Sequence, residues 1–167
     1  MGLRDRLRAR QRPTTTYPLR VADTSEAERE LRESQVAYRR IARHGGEDDP
    51  AVRTAKERLD AAQAAFDACF EMITLVALAP ADLEALLAAH PPKGDGDGLF
   101  NPDTYPRELF LACVEGHNGD MTREDWEHVL DESCSYGERQ ELYVLVQALN
   151  TRGPSSAIPK GWTPTRD

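Results

Sequence analysis

Cys113, His117, His128 and Cys134 are the residues whose types come closest to a metal site in this chain. They form a C-x3-H-x10-H-x5-C series of thiolate and imidazole donors, the ligands zinc prefers. The spacing fits no common zinc finger, and Cys113 follows Leu109 and Phe110 at helical intervals, which makes it a small core residue. The loop Asp95-Gly96-Asp97-Gly98 begins as an EF-hand does, but the third ligand position would be Leu99 and the twelfth Pro106. Neither has a side-chain oxygen to give to calcium, so the segment is expected to be a flexible surface loop. His44 falls at a helix C-terminus, where a cation is favoured, and His90 precedes a proline stop.

Nucleophilic catalysis has no visible platform. There is no G-x-S-x-G turn, no Gly-rich phosphate loop and no H-E-x-x-H. The residues therefore point to a non-enzymatic protein with no catalytic residues, no metal, no cofactor and no small-molecule substrate.

Charge is the next informative feature. The net charge of -8 is unevenly spread, because Arg4, Arg6, Arg8, Arg10, Arg12 and Arg20 face only Asp5 among the first twenty residues. A basic arm thus precedes an acidic body. Such an arm can hold phosphates, an anionic membrane surface or an acidic protein. The acidic body and the absence of aromatics interleaved with the arginines count against nucleic acid. No apolar stretch follows the arginines as in a secretory leader. The longest nearly apolar run, residues 72–79, falls far short of the ~20 needed to span a bilayer as a helix. Three cysteines without a C-x-x-C pair fit a reducing compartment.

The elements that would position these residues read as mainly α: a long helical hairpin over about 25–78, a compact cluster of short helices over about 80–152, an extended basic N-terminal arm and a flexible C-terminal tail. As domains these are an arm at 1–22, a hairpin at 23–78, a helical domain at 79–152 and a tail at 153–167. Within the arm, Thr14 to Thr16 and Tyr17-Pro18-Leu19-Arg20-Val21 either pair as a short edge strand or lie extended. Ser25 with Glu28 has the form of a capping box, and Gly45-Gly46 ends the first helix. The second opens at Asp49-Pro50 and runs to about Leu78, where Pro80 stops it.

A heptad seam joins the two helices: Ala27, Leu31, Ser34, Tyr38 and Ile41 on one, and Val52, Ala55, Leu59, Ala62, Phe66, Cys69, Ile73 and Val76 on the other. This seam is either ordinary core packing or the spine of a projecting coiled-coil hairpin; so few heptads do not separate the two. Beyond Pro80, apolar faces recur on short helices: Leu83, Leu86 and Leu87; Leu109, Phe110, Cys113 and Val114; Trp126, Val129 and Leu130; Leu142, Leu145, Val146 and Leu149. Thr122 with Asp125 and Ser135 with Glu138 are capping-box pairs for the last two. The tail after Gly153-Pro154 is rich in Pro, Ser and Thr and is expected to order only against a partner.

A family resemblance rests on residues 79–152. The motifs are Leu86-Leu87-Ala88-Ala89-His90-Pro91-Pro92, a polar spacer, Phe100-Asn101-Pro102-Asp103-Thr104-Tyr105-Pro106, the helix Glu108-Leu109-Phe110-Leu111-Ala112-Cys113-Val114, Met121-Thr122-Arg123-Glu124-Asp125-Trp126, and the closing Leu145-Val146-Gln147-Ala148-Leu149-Asn150-Thr151-Arg152. In order and spacing this stretch resembles the tail assembly chaperones of long-tailed actinobacterial bacteriophages. The turn Glu115-Gly116-His117-Asn118-Gly119-Asp120 is longer and richer in glycine than that family's, and the hairpin has no counterpart in it.

The resemblance implies a chaperone of the host cell cytoplasm that binds and solubilises the tape-measure protein and aids recruitment of the tail-tube protein. It also implies self-association, with no membrane partner and no nucleic acid. The partner-binding candidates are Phe100, Pro102, Tyr105 and Trp126 by resemblance, and Arg4, Arg6, Arg8 and Arg10 by charge. Two other classes stay open: a structural or connector protein retained in the virion, and a regulatory helical module that binds host protein or DNA.

Overall fold

A computed structural model describes residues 2–46, 48–94 and 98–151. The tail at 153–167 and the Asp95-Gly96-Asp97 part of the calcium-like loop lie outside the described residues. Among the described residues are seven helices and one two-stranded sheet: α1 (Leu3–Arg8), β1 (Thr14–Arg20), α2 (Ser25–Ala42), α3 (Pro50–Asp67), β2 (Phe70–Val76), α4 (Pro80–Ala89), α5 (Tyr105–Val114), α6 (Arg123–His128) and α7 (Tyr136–Thr151). A π-helical turn, Val129–Ser133, extends α6. About 61% of the described residues are helical, and the sheet makes the fold mixed α/β.

That sheet corrects the all-helical expectation in two places. The second hairpin helix does not continue to residue 78: α3 ends at Asp67, and residues expected on its last turns form β2. The sequence FEMITLV carries Ile73, Thr74 and Val76, whose branched Cβ atoms suit an extended backbone. Burial confirms the period of two, with Cys69, Ile73, Leu75 and Ala77 buried on one side of the ribbon. In the arm, the helix α1 was not expected, whereas of the two readings of residues 14–21 the edge strand is the one that forms. Residues 3–8 form α1, which buries nothing, and residues 14–20 form the edge strand β1.

The pairing register follows from two flanking bonds. Val21 N–H donates to the Cys69 carbonyl at 2.9 Å, and Ala77 N–H donates to the Pro13 carbonyl at 2.8 Å. One strand therefore counts up as the other counts down, and the ribbon is antiparallel. Odd-numbered residues face across the ladder and even-numbered ones face outward. Pro18 thus falls where no N–H is required, the position proline tolerates on an edge strand. On β2 the outward-facing residue is Thr74, and a side chain occupies its edge. Asn118 Oδ1 accepts from Thr74 N–H at 2.6 Å, while Asn118 Nδ2 donates to the Thr74 carbonyl at 2.9 Å. Gly116 (φ 75°) and Gly119 (φ 66°) bracket Asn118, and the turn that delivers its amide needs backbone that only glycine adopts cheaply.

The chain divides into two compact units, residues 17–73, and residues 1–16 with 74–167. In the first, α2 and α3 form an antiparallel hairpin. Its buried seam is Leu31, Ser34, Val52, Ala55 and Ala62, while Ala27, Tyr38, Ile41, Leu59 and Phe66 are half-buried. Asp49 caps α3 by accepting from Ala51 N–H at 2.8 Å, with Pro50 in the first turn. The start of α2 differs from expectation. Ser25 is already helical, and Asp23 accepts from its N–H and its hydroxyl instead, at 3.0 and 2.7 Å.

The second unit has the deeper core. Leu75, Leu109, Phe110, Cys113, Val114, Leu142 and Val146 are wholly buried, with Trp126 and Leu130 nearly so. Phe110 meets the edge of the Trp126 ring at 6.1 Å between centroids, a favourable aromatic geometry. The Thr122–Asp125 and Ser135–Glu138 capping boxes both form. Near the end of α7, Asn150 accepts from Leu78 N–H at 2.8 Å and donates to the Cys113 sulfur at 3.3 Å. Its place in the closing ALNTR motif therefore has a structural basis.

Candidate functional site

The motif FNPDTYP and the last helix meet in a groove of about 450 Å3. Pro102 and Pro106 line one wall; Tyr136, Tyr143, Val144 and Gln147 of α7 line the other, with Arg107 and Arg139 between them. The opening of α5 sets the first wall. Asn101 Oδ1 accepts from Asp103 N–H at 3.0 Å, which turns the chain tightly, and the Asn101 carbonyl accepts from Tyr105 N–H at 3.0 Å as helix begins. Asp103 is held from outside by an ion pair with Lys93.

The groove mixes apolar surface from Pro102, Pro106, Tyr136, Tyr143 and Val144 with polar and charged groups from Asp103, Arg107, Arg139, Gln140 and Gln147. Tyr136 is 71% exposed and Val144 64%, so both offer apolar surface to a partner. Arg107 grips Asp131 of the π-helical turn by donating from both terminal guanidinium nitrogens, at 2.5 and 2.9 Å. That bond holds the Asp131 carboxyl below its usual pKa and raises Arg107 further. Arg139 lies 5.8 Å from the centre of the Tyr136 ring, within cation–π range. Burial raises the Tyr143 hydroxyl, so it stays a neutral donor at physiological pH.

The sequence-predicted partner residues separate into three places. Pro102 is exposed in the groove. Tyr105 is buried, stacked at 4.3 Å on half-buried Phe100, and desolvation raises its pKa. Trp126 is 2% exposed and belongs to the core; its indole N–H finds no acceptor among the described residues. The latter two are thus placed to shape the unit. Arg4, Arg6, Arg8 and Arg10 are exposed on and after α1, and none forms an ion pair among the described residues.

Sequence reasoning missed Tyr136 and Tyr143. The signal was present as a second stripe on α7, Tyr136, Gln140, Tyr143 and Gln147 at spacings of four, three and four, beside the buried stripe of Leu142 and Val146.

The zinc-like series does not converge. Cys113 is buried, where desolvation raises its thiol pKa, and His117 and His128 are exposed. Among the described residues no three His, Cys, Asp or Glu side chains gather as a metal site, and no helix is long and apolar enough to cross a membrane. Comparison with protein-family models, curated proteins and solved structures finds no match.

Proposed function

We propose that this chain is a non-enzymatic tail assembly chaperone that binds and solubilises a tape-measure protein and aids tail-tube assembly in the host cytoplasm. The observation carrying this reading is that two parts of the stretch bearing the resemblance meet in one exposed groove: Pro102, Asp103 and Pro106 of FNPDTYP on one wall, and α7 on the other, where Gln147 belongs to the closing motif and Tyr136, Tyr143 and Val144 precede it. A tape-measure protein is a long helical chain with apolar faces to be kept from water before the tail forms. Tyr136 and Val144 offer such a segment apolar surface, and Arg139, beside Tyr136, suits a carboxylate along its flank.

Coexpression with the tape-measure protein of the same phage tests this. The soluble yield of the tape-measure protein should rise several-fold and the two should copurify. Val144→Glu, at an exposed position, should abolish both effects while leaving the fold intact. Mass spectrometry of purified particles should find little of the chain. Stoichiometric presence there, without solubilisation, makes it a virion connector instead.

A further inference from the structure

We infer that a second copy of this chain docks on the exposed face of the α2–α3 hairpin, with the two hairpins running in opposite directions. This site is separate from the α5–α7 groove and does not rest on the chaperone reading. On one flank the hairpin leaves an apolar groove of about 470 Å3, where Ala37, Ile41, Pro50, Ala51 and Ala55 supply the apolar surface. Arg58 closes one end, bonded across the hairpin to Glu30 at 2.7 Å, which ties the two helices together. The flank continues along α3 as Ala51, Thr54, Ala61 and Ala65, all exposed and spaced to share one side of the helix. Short side chains there let another helix approach closely.

Charge selects the occupant and its direction. On α2, Glu26 and Glu28 pair with Arg29 and Arg32, and Glu30 with Arg58, which leaves Glu33 as the free acid of the first part among the described residues, while Arg39 and Arg40 lie in the last turn. Glu33, Ala37 and Arg40 follow at spacings of four and three, so the groove side of α2 carries an acid before Ala37 and a base after it. Neither Glu33 nor Arg40 forms an ion pair among the described residues. Glu33 and Arg40 lie about 10 Å apart along the helix, beyond the ~8 Å screening length, so each presents its own sign.

An antiparallel partner lays its α2 along this α2. Centred near Ala37, that register sets Glu33 of each copy opposite Arg40 of the other, giving two charge pairs around a twofold axis. A parallel arrangement would set Arg40 against Arg40. The surface is self-complementary in one direction only. Two 18-residue helices present a face of roughly 27 Å by 20 Å, at the small end for a specific contact, so association is expected in the tens of micromolar.

Sedimentation equilibrium of the full chain tests this across concentration and salt. The chain should dimerise at low salt and dissociate at least tenfold more readily at 0.5 M salt, on the order expected for exposed charge pairs. Arg40→Glu and Glu33→Arg should each be monomeric with unchanged circular dichroism and melting. An equimolar mixture of the two variants should dimerise again, because both pairs re-form with signs exchanged. Ala51→Glu, which buries a charge in the groove, should be monomeric under every condition. A monomeric wild type, a dimer indifferent to Ala51→Glu, or two folded variants that fail to rescue each other would overturn the inference. If the isolated chain is monomeric but Ala51 becomes protected on adding the tape-measure protein, the face belongs to a different occupant and the second-copy inference fails.

Discussion

The hairpin and the helical cluster bury their apolar residues to very different depths. In the cluster, Leu75, Leu109, Phe110, Leu142 and Val146 are fully enclosed, around a Trp126–Phe110 contact. In the hairpin the buried residues are small or marginal: Ala55, Ala62, Val52 and Leu31 retain 5–9% exposure, and the most deeply buried residue of α2 is Ser34. Full burial of a large aliphatic side chain contributes about 1.5–3 kcal/mol, so most of the hydrophobic stabilisation lies in the cluster. A clean heptad pattern therefore states which face packs and says little about how strongly.

The sharpest way to test that contrast is to remove a large side chain from the deep core. Phe110→Ala should cost about 3–5 kcal/mol, because its neighbours cannot collapse into the space left beside Trp126. Urea unfolding would measure this, and a loss under 1 kcal/mol would show that the cluster is looser than its burial implies. In the shallow seam, Leu59→Glu should cost less, about 2 kcal/mol, since half-buried Leu59 lets the carboxylate reach water in part. Hydrogen exchange should localise that loss to α2 and α3.

Asn118→Ala comes next. It leaves the N–H and carbonyl of Thr74 without their amide partner at an edge that water can partly reach, and should cost about 1–2 kcal/mol. Asn118→Asp, which keeps the acceptor and loses the donor, should fall between Ala and wild type. The smallest effect is expected at the N-terminus. Deleting residues 1–12 removes α1, which buries nothing, and should change stability by less than about 0.5 kcal/mol. Any binding to an acidic partner should weaken with it, measurably at low salt and little at high salt.

How much of this was legible in the sequence depends on whether one period explained each residue. The helices after Pro80 were readable because their caps and apolar faces agree, as Thr122 with Asp125 and Ser135 with Glu138 show. The strand at 70–76 was not. Cys69 and Ile73 satisfy a helical spacing of four and a strand spacing of two equally well, and Val76 then completes the helical series. What decides the matter is Leu75 and Ala77, which the helical reading leaves off the seam and the ribbon buries. Their partner strand begins more than fifty residues earlier, at Thr14, a distance over which local patterning has no reach. The groove was half legible. Pro102 stood out through its motif, whereas Tyr136 and Tyr143 become a wall only once α7 lies beside the start of α5.

The ribbon also imposes an order of events on a newly made chain. Everything between β1 and β2 is the α2–α3 hairpin, so the strands cannot meet until the hairpin has been synthesised. Closing that span as an unstructured loop would cost about 3 kcal/mol of chain entropy, and a hairpin that has already folded back brings its two ends together and removes most of this. At elongation rates of about 5–20 residues per second β1 waits roughly 3–11 s after emerging before the last residue of β2 follows it. Pro18, which cannot donate to a ladder, blunts only the outward edge of β1, so during that interval the inward edge that β2 will cover is the one open to pairing with a neighbouring nascent chain.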